Sequence, residues 1–252
     1  MDTPEKQNIE FRLLHLYDDL MNLYGDWANV EILAREINAR GYKTAVDRKS
    51  VGDAVDFNVY SFIYIGSGTE RSLRACMRDM ARHKEAFIGR IETGICVLAT
   101  GNSHELFGRA VTEAGEDRYE TLNLLDFETW QTDSRITGDC VYKASFLSDR
   151  LVGFINRAGH GQEGDIDRPF YTELGPGTND TSNVEGILYK NLLGTYMTGP
   201  VLVRNPPLLN WFADLICPDQ GARRLADETL FTSQRDAYKM ALSELSDRIG
   251  KR

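Results

Sequence analysis

The stretch Val97-Leu98-Ala99-Thr100-Gly101-Asn102-Ser103-His104-Glu105-Leu106-Phe107-Gly108 runs from an apolar strand through a short polar turn into a helical pattern. A strand, sharp turn and helix in that order form a nucleophile elbow, where the turn residue is strained and its side chain stands above the sheet. The chemistry of such a site is attack on a carbonyl carbon, yet the turn residue is Gly101, which has no side chain. Ser103 and His104 follow it, and a hydroxyl beside an imidazole makes a nucleophile couple when the two face each other. Successive helical residues point about 100° apart, so the simpler expectation is that Ser103 caps the helix and His104 lines a cleft wall. A second candidate is Ile65-Gly66-Ser67-Gly68. Gly66 and Gly68 would let backbone N–H groups approach an anionic ligand, or else make a tight strand-to-helix turn. Arg135, in Ser134-Arg135-Ile136-Thr137-Gly138-Asp139, offers either a bidentate hold on a carboxylate or a surface ion pair.

The remaining reactive types are less organised. His160, in Arg157-Ala158-Gly159-His160-Gly161, reads as a solvent-exposed loop residue, and His15 and His83 have no partner in the pattern. Cys76, Cys96, Cys140 and Cys217 are scattered without a CxxC pair, which argues against a structural zinc or a disulfide framework. Cys96 sits in Ile95-Cys96-Val97-Leu98-Ala99 and reads as a small buried hydrophobe. Neither a metal nor a cofactor is expected.

Positioning these residues requires alternating strands and helices, the signature of a mostly parallel sheet covered on both faces. Strands are expected at Phe11–Leu16, Tyr42–Val46, Tyr60–Ile65 and Ile95–Thr100. A helix carrying Val30, Leu33, Ala34 and Ile37 ends at Gly41, and Thr69 is placed to cap a helix from Glu70 to Arg90. Beyond residue 116, short strand-like segments around Glu120–Leu125, Ile136–Lys143, Leu151–Asn156, Gly186–Lys190 and Leu193–Tyr196 suggest an antiparallel extension. Ala158–Asn183, rich in Gly, Asp, Asn and Thr, reads as a long loop. Helices near Pro206–Ile216 and Ala226–Ile249 close the chain, the latter presenting Asp227, Glu228, Asp236, Glu244 and Asp247 as a charged outer face.

The 252 residues, 42% hydrophobic and 27% charged, suit one globular domain spanning 1–252. With 38 acidic against 29 basic residues and a net charge of -9, non-specific binding to a nucleic-acid backbone is excluded. The polar start MDTPEKQNIE carries no signal-peptide apolar region, and no run approaches the roughly 20 apolar residues of a membrane span. A cytoplasmic location follows as the expectation.

Several ordered motifs resemble the class I glutamine amidotransferases, in the branch containing the cobyric acid synthases and the GatD subunits of lipid II amidation. The stretch 97–108 is similar to their elbow, where the family reads Cys-Gly-Gly-Tyr-Gln after an apolar strand. The opening His15-Leu16-Tyr17-Asp18-Asp19-Leu20-Met21-Asn22-Leu23-Tyr24-Gly25-Asp26, with Asn29, resembles that of GatD. Ile65-Gly66-Ser67-Gly68-Thr69-Glu70-Arg71 resembles the glycine-rich oxyanion segment. Gly194-Thr195-Tyr196-Met197-Thr198-Gly199-Pro200 resembles the terminal motif Gly-Thr-Tyr-Leu-His-Gly-Pro, and the likeness covers about residues 9 to 217. It implies a three-layer, flavodoxin-like α/β fold and a cleft for L-glutamine lined by Gly66, Gly68, Asn102, Ser103, His104 and Arg135. It also implies a Mur-ligase-like partner of the MurT type.

Two departures bear on activity. The nucleophile position is Gly101 and the histidine position is Thr198. Glycine cannot attack, and a threonine hydroxyl is not a base near neutral pH. Arg157 stands where another family segment, Glu-Asn-His-Gly-Gly, carries a histidine. The expectation is a subunit without glutaminase activity, with two alternatives: an active amidotransferase using displaced groups around Ser103, or a small-molecule binding module reusing the cleft. Gly101→Cys with Thr198→His should restore some hydrolysis if the scaffold is otherwise intact.

Overall fold

The computed structural model describes residues 10–115, 117–161, 164–217 and 231–249. The polar N-terminal segment up to residue 9, the start of the last helix from Ala226, and Asp227 and Glu228 lie outside the described residues. Strands β1 (Phe11–Leu16), β2 (Thr44–Lys49), β3 (Phe62–Ile65), β4 (Cys96–Thr100), β11 (Ile187–Tyr189) and β12 (Leu192–Thr195) form a six-stranded sheet in the order β11-β12-β4-β3-β1-β2. Every pairing is parallel except that of edge strand β11 with β12. Strands buried on both faces read as continuous apolar runs, and β3 and β4 do so here, while β1 also carries Arg12 and His15. Leu13, Phe62, Tyr64, Cys96 and Leu98 join one core with helices α1 (Ala28–Ala39), α4 (Val201–Arg204) and α5 (Pro206–Ile216). Leu14, Ile63, Ile65, Val97 and Ala99 join the other with α2 (Glu70–Met80) and α3 (Lys84–Glu92). Helices therefore cover both faces of the mostly parallel sheet, as expected.

The expected Glu70–Arg90 helix is two helices, broken at Ala81–His83, and nothing in local propensity marks the break. Thr69 does cap the first, accepting from the Ser72 N–H at 3.1 Å. Of the expected antiparallel segments, Glu120–Leu125 is strand only at Glu120, and Gly186–Lys190 and Leu193–Tyr196 fall on β11 and β12 of the first sheet. Ile136–Lys143 and Leu151–Asn156 help to build a second sheet beside it. Its order is β10 (Val184–Glu185), β9 (Phe170–Leu174), β7 (Glu128–Ala144), β5 (Ala110–Thr112) and β6 (Arg118–Glu120), with β8 (Arg150–Gly161) paired to β7. The long loop expected from Ala158 is accordingly corrected. Ala158–Gly161 continues β8, with His160 opposite Trp130 and Gly159 opposite Gln131, and β9 interrupts the rest. Small residues there allow close packing: a side chain at Gly159 would meet the Tyr196 hydroxyl at 2.8 Å.

The described part of the last helix, α6 (Thr232–Ile249), packs on this second sheet through Leu245, with Tyr238 and Leu242 partly buried around it. Among the described residues, no helix is long and apolar enough to cross a membrane.

Candidate functional site

Strand β4 lies between β3 and β12, so the three chain segments leaving their carboxyl ends are neighbours, the place where open parallel sheets put ligands. These ends carry Ser67, Gly101 and Thr198. Gly101 has φ +62°, and its N–H donates to the Met197 carbonyl at 3.0 Å, tying the elbow to the end of β12. The elbow turn is thus kept in the left-handed conformation that glycine adopts without penalty. A Cβ placed on Gly101 would lie 2.8 Å from the Ser67 Cβ and nearer still to Ser67 Oγ. The Ser67 side chain fills the space in which an elbow side chain would begin.

Ser67 Oγ is 3.4 Å from both Asp26 Oδ1 and the Thr100 carbonyl. Asp26 is fully buried, receives the Tyr24 N–H at 2.9 Å and the Tyr64 hydroxyl at 3.2 Å, and has its pKa raised by burial. Thr198 lines the same cleft as Gly101, and its N–H and hydroxyl both donate to the Phe154 carbonyl, at 2.9 and 3.1 Å.

The glycine loop is engaged as well. Asn102 Oδ1 accepts from the Gly68 N–H at 3.0 Å, and Asn102 Nδ2 donates to the Gly68 carbonyl at 2.9 Å. The N–H expected to face an anion is therefore satisfied by a side chain. Gly66 and Gly68 are needed for a different close approach from the one expected. A Cβ at Gly66 would fall 2.7 Å from Asp26 Cβ, and one at Gly68 would fall 2.8 Å from the Leu20 carbonyl. They let the segment between β1 and α1 pack against the β3 end. Asn22, Tyr24, Gly25, Asp26 and Asn29 shape that segment: the Trp27 N–H donates to Asn22 Oδ1 at 3.0 Å, and Gly25 takes φ +74°. Asn29 bridges α1 to α4, donating to Tyr64 Oη at 2.8 Å and accepting from the Leu202 N–H at 2.8 Å.

Arg135 stands at the cleft mouth. Its Nη1 meets Glu70 Oε1 at 3.0 Å and its Nε donates to Asn156 Oδ1 at 2.7 Å, while Asn156 Nδ2 donates to the Tyr24 hydroxyl at 2.9 Å. Arg135 makes the ion pair that one of its two sequence readings gave, and both partners line the cleft. The cleft is lined by Ser67, Gly68, Gly101, Asn102, Glu105 and Arg157, among others, and its free volume is ≈ 10 Å³. That is about the room for one water molecule.

Ser103 and His104 are not brought to this cleft. Ser103 Oγ donates to the Ile65 and Thr100 carbonyls, each at 2.9 Å, pinning the ends of β3 and β4 rather than capping the helix. His104 is buried, with Nδ1 2.8 Å from the Gly101 carbonyl and its ring edge-on to Tyr196 at 4.0 Å. Burial lowers its pKa to about 3, so it stays neutral. Neither the hydroxyl nor the imidazole has the other as its partner. His160 is buried, not solvent-exposed: it stacks on Trp130 at 5.9 Å and faces Asp180 at 3.5 Å. The four cysteines are free and buried, and desolvation pushes the Cys96 thiol up to about 12, which leaves no thiolate to replace the missing nucleophile.

Glu105 falls inside the elbow stretch, and sequence reasoning did not single it out as a site residue. It is fully buried at the foot of the cleft, and Oε2 accepts from Gln131 Nε2 at 3.0 Å. Burial raises its pKa to about 7, with Gln131 and the Tyr196 hydroxyl pulling it back down. Arg157 is also buried, donating to the Gly159 and Gly177 carbonyls and stacking over Tyr196 at 4.6 Å. Among the described residues, no group of three His, Cys, Asp or Glu is placed to hold a metal ion.

An elbow turn at the end of a central parallel strand, with a glycine loop beside it, defines the class I glutamine amidotransferase fold. A glutamine amidotransferase of Thermotoga maritima superimposes with a TM-score of 0.53 at 14% identity, covering 96% of this chain and 99% of that one. The PurLQS structure from the same organism gives 0.53 at 12% identity, over 82% and 95%. The chain belongs to the CobB/CobQ-like glutamine amidotransferase family, whose domain is matched over residues 12–206. Within it, the chain is similar to the GatD subunits of lipid II isoglutaminyl synthase (glutamine-hydrolyzing). Identity is 29% to that of Staphylococcus aureus, over 84% of this chain and 86% of the relative. It is 31% to that of Streptococcus pneumoniae, over 79% and 77%.

Proposed function

We propose that this chain is a GatD-like subunit whose cleft no longer hydrolyses glutamine, and that it serves a MurT-like Mur ligase in amidating a peptidoglycan precursor. One observation carries this reading: the Ser67 side chain occupies the place of an elbow side chain opposite Gly101. Loss of a nucleophile alone would leave a gap there. Instead the neighbouring loop has filled it, Asn102 satisfies the Gly68 N–H, and Arg135 pairs with Glu70 across the mouth. A cleft with ≈ 10 Å³ free does not hold a glutamine without rearranging. The chain acts as one domain, and its contribution to the ligase is to bind and support it, with ammonia reaching the ligase from another source.

The active alternative requires a histidine or carboxylate within reach of Ser103, and both hydrogen bonds of that hydroxyl go to carbonyls. The carboxylate that does approach a cleft hydroxyl is Asp26, at Ser67, but the N–H that would stabilise an oxyanion is taken. A binding module reusing the cleft is disfavoured by its small volume. Two measurements test the proposal: glutamate release from L-glutamine, and co-purification with a MurT-like ligase. Release above background, or failure to associate, would each overturn the corresponding half.

A further inference from the structure

Helix α6 lies against β8 and α4, and the three leave between them a cavity of ≈ 600 Å³ that shares no lining residue with the cleft. That volume falls within the range of roughly 300–1,000 Å³ of small-molecule sites. Its apolar walls come from Val152 on β8, Val203 on α4, and Ala237, Tyr238, Ala241 and Leu245 on α6. Val152 and Leu245 are buried in one small core cluster, whereas the two alanines, one helical turn apart, leave the space above them open. The backbone along these walls is already satisfied. The Val152 N–H donates to Asn205 Oδ1 at 2.8 Å, and the Val152 carbonyl accepts from Asn205 Nδ2 at 2.9 Å. At the end of α4, Gln234 Nε2 donates to the Leu202 and Val203 carbonyls, each at 2.9 Å. An added strand would therefore find no free backbone group at Val152, and an occupant meets side chains. Four charged residues also line the cavity. Arg248 is shared between Asp139, at 2.7 Å, and Glu244, at 3.2 Å. Arg204, exposed in the last turn of α4, has no ion-pair partner among the described residues.

We propose that this cavity binds an apolar monocarboxylate, of which a medium-chain fatty acid is the simplest form, with the chain along Ala237 and Ala241 and the carboxylate on Arg204. Burial of apolar surface supplies the affinity. A guanidinium takes a carboxylate through two parallel N–H···O bonds, which orients the chain. A phosphate head group fits less well, because Asp139 and Glu244 repel its second charge. A cationic head group would stand against Arg204. The inference is independent of the reading of the cleft. The two sites nevertheless share a strand: Val152 of β8 walls the cavity, Arg157 of β8 lines the cleft, and the Phe154 carbonyl between them holds Thr198. An occupant of the cavity therefore bears on the strand that also forms the cleft wall.

The test is calorimetric titration of the full chain with octanoate below its micellar concentration, with 1-octanol, octyl phosphate and octylammonium as comparators. The expected result is saturable, single-site binding of octanoate, tighter than that of all three comparators. Arg204→Gln should weaken octanoate about tenfold, the loss of one charge-assisted pair, and leave 1-octanol unchanged. Ala241→Trp, which fills the cavity, should abolish binding of both. No saturable binding, a comparator as tight as octanoate, or an Arg204→Gln variant indistinguishable from the unaltered chain would overturn the proposal. A dimer seen by light scattering that Ala241→Trp dissociates would also overturn it, in favour of a second copy seated on this face. If circular dichroism shows that Ala241→Trp does not fold, the exposed substitution Arg204→Gln and the head-group series on the unaltered chain still decide.

Discussion

Restoring a cysteine at the elbow should fail unless Ser67 is removed with it. The cost has two parts. A non-glycine residue at φ +62° pays about 1–2 kcal/mol for left-handed backbone. The new Cβ would also lie 2.8 Å from Ser67 Cβ, against a normal separation of about 3.5–4.0 Å. Overpacking on that scale costs about 1–3 kcal/mol, so Gly101→Cys should destabilise the chain by about 2–5 kcal/mol in sum. Ser67→Gly alone should cost only about 1 kcal/mol, because it gives up two long 3.4 Å contacts and no short one. In the double variant the overlap disappears. A double-mutant cycle from denaturant midpoints should therefore return a favourable coupling of about 1–3 kcal/mol. For the same reason, Gly101→Cys with Thr198→His should stay inactive with Ser67 present. Any glutaminase activity should emerge only when Ser67→Gly is added. A coupling near zero would refute the steric argument whatever the activities. So would glutamate release by the Gly101→Cys, Thr198→His variant with Ser67 retained.

Other perturbations follow from the same contacts. Burial raises Glu105 from its ordinary 4.5 to about 7, so the folded state holds a proton that the unfolded state has released. Its contribution to stability is present below pH 4.5 and is lost as pH rises through 7, about 3 kcal/mol in all. His15 and His104, lowered to about 4 and about 3, take up protons on unfolding below pH 6.5 and act in the opposite direction. The Glu105 effect is therefore read as the difference between the unaltered chain and Glu105→Gln, whose relative stability should rise between pH 5 and pH 8; a pH-independent difference would contradict it. Arg135→Ala should change stability by less than about 1 kcal/mol, as an exposed ion pair warrants, yet widen the mouth measurably by hydrogen exchange at Tyr24 and Asn156. Arg157→Leu should cost about 2–4 kcal/mol, since it strands the buried carbonyls of Gly159 and Gly177; a neutral substitution would show those carbonyls are otherwise satisfied.

The parallel core was legible because its strands advertise themselves: Phe62–Ile65 and Cys96–Thr100 are apolar runs bounded by turns, and both appear within two residues of where the pattern puts them. Ala158–Gly161 was not, because glycine and polar residues signal a loop locally, while long-range pairing with Trp130 and Gln131 makes them strand. The site divides the same way. Gly101 and Thr198 were visible as departures at fixed places in motifs. Ser67 stood out only as part of a glycine loop, since its significance depends on the β3 end lying beside the β4 end. Arg157 was visible as a departure from a family histidine and Glu105 as a member of the elbow motif, but the burial and contacts of both come only from the fold. Arg135 was visible as a candidate, but its partner Glu70, 65 positions earlier, was not.

The central claim is that this amidotransferase-family cleft is closed to glutamine hydrolysis. It is tested most directly by glutamate release from L-glutamine by the purified chain, alone and with a MurT-like ligase. The account predicts no release above the buffer rate in either condition. Release that follows the chain through purification and rises when the ligase is added would contradict it.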